Sequence, residues 1–507
     1  MLAYRLGNDY LSHENQRLKI CEMIKTDNHQ AVLKALRQVL REDEVILEPS
    51  AMAAFECDAL TAKRETPLIV VLPDSTEKIQ AILRISKAFS VPIVPRGAGT
   101  GLSGGATPRA DAILMGLSKL NRVLDINADQ QWIWVEPGIT NLRVSEVVKK
   151  HGLYYAPDPS SQIACSIGGN VAENAGGIHC LKYGLTIHNV LEIECLDADG
   201  NRFIVGRQFD GFDLLPLIVG SEGMLAIISK IKLKLLPIPQ TAKVIVASFN
   251  SIESAGHCVS AIIAEGIIPA GLEMMDALAL KAVNQYAQLG YPEQAEAILL
   301  CELDGLATEV DQYIRQLAPI WQTYGATDIR ISKNESERLA FWQGRKAAFP
   351  ALAQLAPDYY CMDGTIARQH LAVVLEKISQ LSSQYGLPVA NVFHAGDGNL
   401  HPLILYDAQV DGELAKAERF GGEILSICVE MGGSITGEHG VGREKLDQMC
   451  EQFDQTTLAL FHGIKSAFDP EQRLNPGKAI PTLTRCSELG GMHSHQGQLP
   501  FADIERF

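Results

Sequence analysis

Apolar side chains recur along the chain at intervals that predict a helix first and mainly strands afterwards. Between residues 29 and 41 they return every three or four positions, the spacing that places side chains on one face of a helix. The residues on this face are Val32, Leu33, Leu36, Val39 and Leu40. The pattern predicts a helical arm over residues 1–50 that packs against the rest of the chain.

Short apolar runs dominate residues 51–236 and predict a domain of strands with occasional helices. The run Leu68–Leu72 has the length and composition of a buried strand. Ser75 follows as a candidate N-cap of a helix with one apolar face. Two apolar runs around Asp199-Gly200 predict a β-hairpin, because this dipeptide favours a tight turn. We place the end of this domain just before Pro237.

Strands alternate with longer helices beyond this boundary, over residues 237–410. The predicted strands and helices follow in the order 244–246, 252–265, 298–303 and 310–321. This alternation is typical of an α+β domain of the ferredoxin-like type, which we expect to bind the substrate. Residues 411–480 are predicted to be mainly helical, and the polar, glycine-rich residues 481–507 to form a peripheral tail.

Composition and charge narrow the classes of protein that this chain can be. Its 507 residues carry a net charge of −16 spread along the sequence, which argues against a nucleic-acid partner. No apolar run approaches the ~18 residues of a membrane span. The first residues lack the apolar stretch of a secretory signal, so we expect a cytoplasmic protein. The 11 cysteines include no C-x-x-C pair, which disfavours a cysteine-ligated cluster and indicates reduced thiols.

A glycine-rich run between two apolar, strand-like segments stands out in the first domain. Residues 94–105 read Val-Pro-Arg-Gly-Ala-Gly-Thr-Gly-Leu-Ser-Gly-Gly, so successive backbone N–H groups can turn toward one side. A concave row of N–H groups binds anions such as a pyrophosphate. The amphipathic helix that follows a G-x-G-x-x-G dinucleotide motif is missing. The run alone leaves a nucleotide, a flavin and a plain surface turn open.

Two further glycine clusters follow in the same domain. Residues 157–184 contain three glycine-rich turns, which is more than one hairpin needs. Such backbone can approach a large flat ligand closely, although turns between short strands would use the same residues. Residues 157–184 are therefore the second glycine cluster, and the third is Val219–Gly223, where glycine beside an acidic residue suits contact with the edge of a ring.

Histidines and acidic residues toward the end of the chain carry candidate chemistry. His394 and His401 flank a Gly-Asp-Gly-Asn turn, which can bring two imidazoles together as ligands of zinc or iron. Glu438 could complete a His₂Glu set with open coordination positions, and His439 beside it is a candidate base. Ordinary surface or core histidines would explain one such match, but both segments combine histidine with clustered glycines.

In order and spacing, the glycine-rich segments resemble the FAD-binding domain of vanillyl-alcohol-oxidase-type (PCMH-type) flavoproteins. The resemblance implies that Arg96–Gly101 surrounds the FAD pyrophosphate and that residues 222–227 close over the ring system. The residues that it assigns to FAD are Pro95, Arg96, Gly97, Ala98, Gly99, Thr100, Gly101, Leu102, Pro157, Asp158, Ser161, Gly168, Gly169, Asn170, Gly176, Gly177, Tyr183, Gly184, Glu222, Gly223, Ile227 and Asn475. Because the pyrophosphate loop contains no histidine or cysteine, we expect non-covalent FAD, although Cys165 lies near the second cluster.

The histidine segments resemble the C-terminal domain of FAD-linked 2-hydroxyacid oxidoreductases, and the likeness covers about residues 50–480. This family includes D-lactate dehydrogenases, D-2-hydroxyglutarate dehydrogenases and the FAD-linked subunit of bacterial glycolate oxidase. The segment Tyr359–Ile366 looks most like the glycolate oxidase branch. Cys361 stands where 2-hydroxyglutarate enzymes have a lysine for the second carboxylate, which indicates a monocarboxylate substrate. Ala367 replaces a proline of the family pattern, a difference that we expect to be structural.

The resemblance also implies a reaction, with the helical segment 411–480 closing on the flavin. Arg345 would bind the substrate carboxylate through paired hydrogen bonds. A divalent metal (zinc, iron or manganese) at His394, His401 and Glu438 would lower the pKa of the substrate hydroxyl, and His439 would take its proton. Glycolate would become glyoxylate as a hydride passes to flavin N5. Electrons would leave through a second flavin-type subunit and an iron–sulfur subunit, in a complex at the inner membrane face.

Three other interpretations fit parts of the pattern. Within the same family, the chain could be a stand-alone D-lactate dehydrogenase. From a different class, the histidine cluster could be a metallohydrolase site, with the glycine-rich domain as a nucleotide-binding regulator. A non-catalytic electron-transfer or scaffold subunit is the third interpretation. A flavin spectrum tests the second, and anaerobic bleaching by glycolate or D-lactate tests the third.

Overall fold

Four β-sheets with helices packed on them make up the described part of the fold. The structure, a computed structural model, describes residues 28–207, 211–482 and 485–486. The strands are β1 (Val45–Ile46), β2 (Ile69–Val71), β3 (Ile93–Arg96), β4 (Ile113–Gly116), β5 (Val123–Asn127), β6 (Trp132–Val135), β7 (Leu153–Tyr154), β8 (Val190–Leu196), β9 (Arg202–Gly206), β10 (Ile227–Lys234), β11 (Leu236–Pro237), β12 (Thr241–Phe249), β13 (Gly271–Asp276), β14 (Ala297–Gly305), β15 (Asp328–Ile331), β16 (Asp358–Cys361), β17 (Val389–Phe393) and β18 (Pro402–Tyr406).

Helices connect and cover these sheets. The α-helices are α1 (28–39), α2 (Pro49–Met52), α3 (Thr76–Phe89), α4 (Asn141–Val148), α5 (Ile167–Glu173), α6 (Cys180–Tyr183), α7 (Thr186–Asn189), α8 (Leu215–Ile218), α9 (Ile252–Ala264), α10 (Ala277–Ala287), α11 (Ala307–Thr323), α12 (Glu335–Leu352), α13 (Leu371–Tyr385), α14 (Glu413–Glu430), α15 (Leu446–Gln452) and α16 (Gln455–Phe468). Single 3₁₀ turns occupy Glu42–Glu44, Ala53–Phe55, Lys149–His151 and Arg368–His370.

The first sheet carries the glycine-rich run at the end of one strand. Its order is β1-β2-β4-β3, and β2, β4 and β3 run parallel. Helix α3 connects β2 to β3, and its predicted N-cap Ser75 accepts a 3.3 Å hydrogen bond from the Lys78 amide. The apolar face of α3 is buried against this sheet. Since β3 ends at Arg96, the glycine-rich run leaves the carboxyl end of a parallel strand.

The second sheet is antiparallel and has the order β5-β6-β10-β8-β9, while β7 and β11 pair separately. Its strands β8 and β9 form the hairpin predicted around Asp199-Gly200, with Leu196 opposite Arg202. In β10 buried isoleucine and leucine alternate with more exposed lysine. Leu196 and Ile227 belong to the same apolar core as the first sheet, so the two sheets form one body around that core.

The largest sheet is seven-stranded and antiparallel, in the order β15-β12-β14-β13-β17-β18-β16. The succession β12-α9-β13-α10-β14-α11-β15 contains the β-α-β-β-α-β unit of a ferredoxin-like fold, as the sequence predicted. Alternate residues of β14 point into different cores: Leu299 and Cys301 meet α9, α11 and α13, whereas Ile298 and Leu300 meet α10 and α12. Helices therefore cover both faces of this sheet.

The last helices return the chain to the first sheet. Leu474 forms an isolated parallel bridge to Ile93, and the Asn475 amide donates a 2.7 Å hydrogen bond to the Ile93 carbonyl. Lys465 on α16 is buried, and its ammonium group donates to the carbonyl oxygens of Met224 and Leu474 at 2.7 Å. These contacts fix the C-terminal helices beside the glycine-rich segments.

The expectation of reduced thiols throughout the chain was wrong. Cys450 and Cys486 form a disulfide, and their separation of 36 residues matches no short cysteine motif. Within the described residues, no helix has the length and apolar composition needed to cross a membrane. Residues 1–27 of the predicted arm and most of the predicted 481–507 tail lie outside the described residues.

Candidate functional site

A row of backbone amides without acceptors forms the floor of the candidate cofactor site. None of the amides from residue 97 to 105 donates a hydrogen bond within the described residues. Buried or half-buried N–H groups normally find partners, so this row fits an anionic group. Gly99 has φ +75°, and a Cβ there would collide with the guanidinium of Arg96. The glycine thus lets Arg96 fold back along the loop, where it donates to the Cys57 carbonyl at 2.7 Å.

The second glycine cluster brings helix α5 against this loop. Ser166 caps α5 by accepting a 3.2 Å hydrogen bond from the Gly169 amide. A Cβ on Gly97 would collide with the Ser166 hydroxyl, and one on Gly168 would collide with Pro137. Glycine is therefore required at both positions for the first turn of α5 to meet the loop.

One cavity of about 630 Å³ joins the glycine loop to the histidine cluster. The residues assigned from the sequence that line it are Pro95, Arg96, Gly97, Ala98, Gly99, Thr100, Gly101, Leu102, Ser161, Gly168, Gly169, Asn170, Glu222, Gly223, Ile227, Arg345, His401, Glu438 and His439. The volume suits a large cofactor, and the unsatisfied amides lie where a pyrophosphate would be held. The structure therefore fits FAD by its own donors and shape.

Other assigned residues stand behind this lining. Asn141 bridges two of the segments, because its amide donates to the Pro157 carbonyl at 3.0 Å and to Asn170 Oδ1 at 3.1 Å. Gly177 packs against the backbone of Asp158, and a Cβ on Gly177 would lie only 2.5 Å from the Asp158 carbonyl carbon. The residues outside the lining are Pro157, Asp158, Gly176, Gly177, Tyr183, Gly184, His394 and Asn475. Their predicted contact with cofactor or metal stays a prediction.

Asn475 and Glu222 connect the glycine-rich segments to the end of the chain. The Asn475 side-chain amide donates to the carbonyl oxygens of Gly105 and Glu222, at 3.1 and 2.6 Å. The Glu222 carboxylate accepts hydrogen bonds of 2.7 Å from the amides of Val441 and Gly442. An acid from the first domain thus holds the backbone that directly follows the predicted ligand and base.

Two histidines and a glutamate converge at the other part of the cavity. His394 Nε2 and His401 Nε2 each lie 3.3 Å from Glu438 Oε1. The ligand atoms of the three side chains all lie within 4.8 Å of one another. This is the predicted His₂Glu set, and its donor atoms suit a divalent transition metal. A second group, Asp363 with His401 and His439, overlaps it through His401.

Glu273 orients this donor set from behind. Its Oε1 lies 2.7 Å from His394 Nδ1, which leaves Nε2 of the same ring directed at Glu438. A carboxylate on the remote nitrogen is the usual support of a metal-ligating histidine. Burial alone would lower the pKa of His394, but Glu273 and Glu438 raise it well above its usual value. The pocket therefore favours positive charge at this point, as a cation site should.

Asp363 shapes the loop that carries Glu438 and His439. Its fully buried Oδ2 accepts hydrogen bonds from the Thr436 hydroxyl at 2.6 Å, the His439 amide at 2.9 Å and the Lys445 ammonium at 3.1 Å. Because one carboxylate satisfies several donors of the same loop, the loop has little freedom to move. Asp363 thus fixes the positions of both the predicted ligand and the predicted base.

His439 has the properties of a neutral base. Its ring stacks on that of His401, with the centroids 4.8 Å apart and the planes 5° from parallel. Burial lowers the pKa of His439 to about 4, so the imidazole is uncharged at neutral pH. Neither of its ring nitrogens makes a hydrogen bond within the described residues. The ring is free to accept a proton from a ligand in the cavity.

Arg345 projects from α12 into the same cavity and is held by Glu273. Its Nε donates a 2.9 Å hydrogen bond to Glu273 Oε2, and its side chain is 3% exposed. The bond uses one edge of the guanidinium and leaves the remaining N–H groups for a ligand. Arg345 is thus a fixed cation next to the histidine cluster, which suits the predicted role toward a carboxylate.

Cys165, which lines the cavity, and Cys361, in an apolar core, are neutral thiols. Burial raises the pKa of Cys165, whose Sγ lies 3.7 Å from Asn170 Oδ1. A thiol that resists ionisation is a poor nucleophile, which supports non-covalent FAD. Cys361 is buried in the apolar core that also contains Trp342 and Ile178, and burial raises its pKa well above its usual value. It offers no cation for a second substrate carboxylate.

Sequence reasoning missed the residues that support the cluster. Glu273 lies between the apolar residues Leu272 and Met274 of strand β13, and Asp363 follows two residues after β16, whose last two residues are buried. An acid in such a run is costly unless it is paired, and this signal could have marked both residues. Their partners lie far away along the chain, so no local pattern indicated which histidine or arginine each would bind.

The cavity and the polar cluster beside it fit a flavoprotein oxidoreductase, and comparison with known proteins shows this class. Residues 67–206 match the FAD binding domain, and residues 238–479 match the C-terminal domain of FAD linked oxidases. The chain belongs to the FAD-linked oxidase family. It is 55% identical over 480 residues to glycolate oxidase subunit GlcD of Escherichia coli (strain K12), covering 94% of this chain and 96% of that one.

More distant relatives agree on family and fold. D-lactate dehydrogenase of Archaeoglobus fulgidus is 32% identical over 447 residues, which is 86% of this chain and 97% of that one. The solved structure of p-cresol methylhydroxylase superposes with a TM-score of 0.77 at 16% identity, over 90% of this chain and 98% of that one. Together these matches confirm the predicted α+β class, the PCMH-type FAD-binding fold and FAD as the cofactor.

Proposed function

We propose that this chain oxidises glycolate to glyoxylate as the FAD-containing subunit of a glycolate oxidase complex. One observation carries the proposal: a single cavity holds both the anion-binding glycine loop and the cluster of Arg345, His401, Glu438 and His439. The 55% identity to glycolate oxidase subunit GlcD supports the choice of glycolate, since the D-lactate dehydrogenase relative is only 32% identical.

Different residues of the chain bind the carboxylate of a small 2-hydroxy acid and accept the proton of its hydroxyl group. FAD, when bound, supplies the acceptor for the hydride of the substrate α-carbon. Arg345 binds and orients the carboxylate, because it is a buried cation with N–H groups left free by Glu273. His439 accepts the hydroxyl proton on its imidazole, which is neutral and makes no competing hydrogen bond within the described residues.

His394, His401 and Glu438 would hold a divalent metal. Such an ion would supply a Lewis acid that favours loss of the hydroxyl proton. The His394 ring is already oriented for this ion, because Glu273 holds its other nitrogen. Burial would raise the pKa of Glu438, but the hydrogen bond with His394 lowers it to about 2. His401 Nε2, which is buried and lies 3.3 Å from Glu438 Oε1, completes the set.

Purified protein tests this function directly. We expect a yellow protein with a flavin spectrum that glycolate bleaches under anaerobic conditions and at lower concentration than D-lactate. Preferential bleaching by D-lactate would assign the chain to the D-lactate dehydrogenases. A colourless protein, or a flavin that no 2-hydroxy acid reduces, would contradict the proposal.

We propose that the electrons pass to partner subunits. The E. coli relative is named as a subunit, which supports assembly into a complex. A second flavin-type subunit and an iron–sulfur subunit are the partners that we expect, with contact to the inner membrane face through them. Co-purification of tagged protein from its own cells, followed by iron analysis, tests this; a tagged protein that stays alone with full glycolate-dependent quinone reduction would contradict it.

A further inference from the structure

A short chain of charged side chains connects the cofactor cavity with the helix that carries Arg345. Asp158 belongs to the segment whose next residues, Pro159 to Ser161, line the cavity. Its Oδ2 lies 2.8 Å from His179 Nδ1, and its Oδ1 accepts a 3.1 Å hydrogen bond from the His179 amide. The other ring nitrogen of His179 lies 3.5 Å from Glu302 Oε1 on strand β14.

Glu302 in turn holds helix α12. Its two carboxylate oxygens accept hydrogen bonds of 3.0 and 3.1 Å from Arg338, and one of them also accepts from the Trp342 indole. Arg338, Trp342 and Arg345 follow at intervals of four and three residues, so they lie along the same face of α12. The carboxylate that meets His179 is therefore the one that holds the Arg345-bearing face.

The carboxylates on either side of His179 favour its charged form. Burial alone would lower the pKa of His179, but Asp158 and Glu302 raise it well above its usual value, so both ring nitrogens carry protons. The imidazolium then attracts two carboxylates from different parts of the chain. An apolar contact runs in parallel, because Ile178 lines the cavity and packs in the same core as Trp342.

We propose that His179 and Glu302 are positioning residues that set the distance between the cofactor cavity and Arg345. The proposal rests on the proposed function in one respect, the binding of the substrate carboxylate by Arg345. In a hydride transfer the acceptor and the α-carbon must meet closely, and displacement by about 1 Å can cost about 10²-fold in rate. A direct series of side-chain contacts between the cofactor cavity and the helix of Arg345 would keep the hydride acceptor and the α-carbon at this short distance.

The same interface offers a matched control. Lys182 follows His179 by three residues and binds Asp304, two residues after Glu302 on β14, at 2.5 Å. Within the described residues Asp304 bonds to Lys182 and Tyr183 and makes no hydrogen bond or ion pair with α12. Lys182→Met thus loosens the same junction without releasing the helix of Arg345.

The test compares His179→Ala and Glu302→Gln with Lys182→Met in the FAD-loaded protein. The measurements are the FAD content, the dissociation constant for oxalate from the change in flavin absorbance, and the limiting rate of anaerobic flavin reduction by glycolate. For His179→Ala and Glu302→Gln we expect full FAD content, oxalate binding weakened about tenfold and reduction slowed about tenfold. Lys182→Met should stay within about twofold of the unmodified protein on all three.

Non-additivity separates positioning from general loosening. His179 and Glu302 are proposed to act through the same series of contacts. If they do, the double variant His179→Ala/Glu302→Gln should bind oxalate no more weakly than whichever single variant binds it less tightly. Fully additive effects, or a Lys182→Met variant as impaired as His179→Ala, would overturn the proposal. Glu302→Gln keeps the size of the side chain, so it tests the idea even where His179→Ala fails to fold. An unmodified protein that glycolate cannot reduce would instead reject the proposed function.

Discussion

Arg345 and His394 share one carboxylate. Glu273 Oε2 accepts the hydrogen bond from Arg345 Nε at 2.9 Å, while its Oε1 lies 2.7 Å from His394 Nδ1. The two residues come from helix α12 and the end of strand β17, and Glu273 lies fully buried on β13 between them. The group proposed to bind the substrate carboxylate and the group proposed to bind the metal are therefore placed relative to each other by a single side chain.

This relationship predicts the effect of Glu273→Gln. A neutral amide keeps the size of the side chain but weakens the hold on both Arg345 and His394, which carry or favour positive charge. We expect metal affinity and kcat/KM for glycolate to fall about 10- to 100-fold, with FAD retained. Metal analysis and steady-state kinetics measure the two effects.

Glu136→Gln is a suitable control for that experiment. Glu136 is also buried and paired with an arginine, Arg122, at 2.7 Å, but it does not line the cavity. Glu136→Gln should change stability without changing metal content. Equal kinetic losses in the two variants would show that Glu273 acts only on folding.

The His439 side chain is predicted to act on the reaction and to leave FAD binding intact. His439→Ala removes the neutral imidazole that faces the cavity, whereas the loop stays anchored because His439 bonds to Asp363 through its backbone amide and not through its ring. Loss of a general base typically costs about 10²- to 10⁴-fold, so we expect that fall in kcat with an unchanged flavin spectrum. His151→Ala, at an exposed position, is the control. Full turnover by His439→Ala would exclude it as the base.

Much of the cofactor site could be predicted because its signal is local. The conformation of the run from Arg96 to Gly101 depends on its own residues, because its glycines determine where the backbone can turn and expose its amides. The Ser75 cap and the hairpin at Asp199-Gly200 were found for the same reason. These features depend on residues that are neighbours in the sequence.

The supporting groups could not be predicted because their partners are distant in sequence. Glu273 meets His394 across 121 residues, and Glu222 meets Val441 across 219. Such pairs depend on which distant strands and loops the fold brings together, and the local sequence pattern does not fix that arrangement. The hydroxyl of Tyr183 likewise donates to the distant Asp304 at 2.7 Å, and the predicted contact of Tyr183 with FAD stays a prediction.

Metal removal is predicted to impair the oxidation of glycolate without affecting the binding of FAD. The glycine loop contributes no ligand to the His394, His401 and Glu438 set, so a chelator should leave the flavin spectrum unchanged. Glycolate-dependent reduction should fall about 100-fold and return on addition of zinc, iron(II) or manganese. His394→Ala should prevent this recovery, whereas His257→Ala, at a side chain that is 52% exposed, should not. An unchanged rate after complete metal removal would contradict a catalytic metal.

Lys465 is predicted to hold the C-terminal segment on the cofactor domain. Its ammonium group binds Asp469 at 2.6 Å in addition to the carbonyl oxygens of Met224 and Leu474. Lys465→Met would leave the buried Asp469 carboxylate without its counter-ion, a change that typically costs about 3–5 kcal/mol. Hydrogen exchange at the amides of residues 474 and 475 measures this opening locally, since both are hydrogen-bonded in the structure.

The double variant Lys465→Met/Asp469→Leu distinguishes a lost charge pair from lost packing. Replacing both partners removes the uncompensated charge, so we expect part of the protection at the Asn475 amide, which donates to the Ile93 carbonyl, to return. Lys150→Met, at an exposed position, should leave exchange unchanged. Protection that falls equally in the single and double variants would mean that Lys465 acts through its bonds to the carbonyl oxygens alone. FAD content measured on the same samples then shows whether the opened segment also releases the cofactor, as the hydrogen bond from Asn475 to Gly105 predicts.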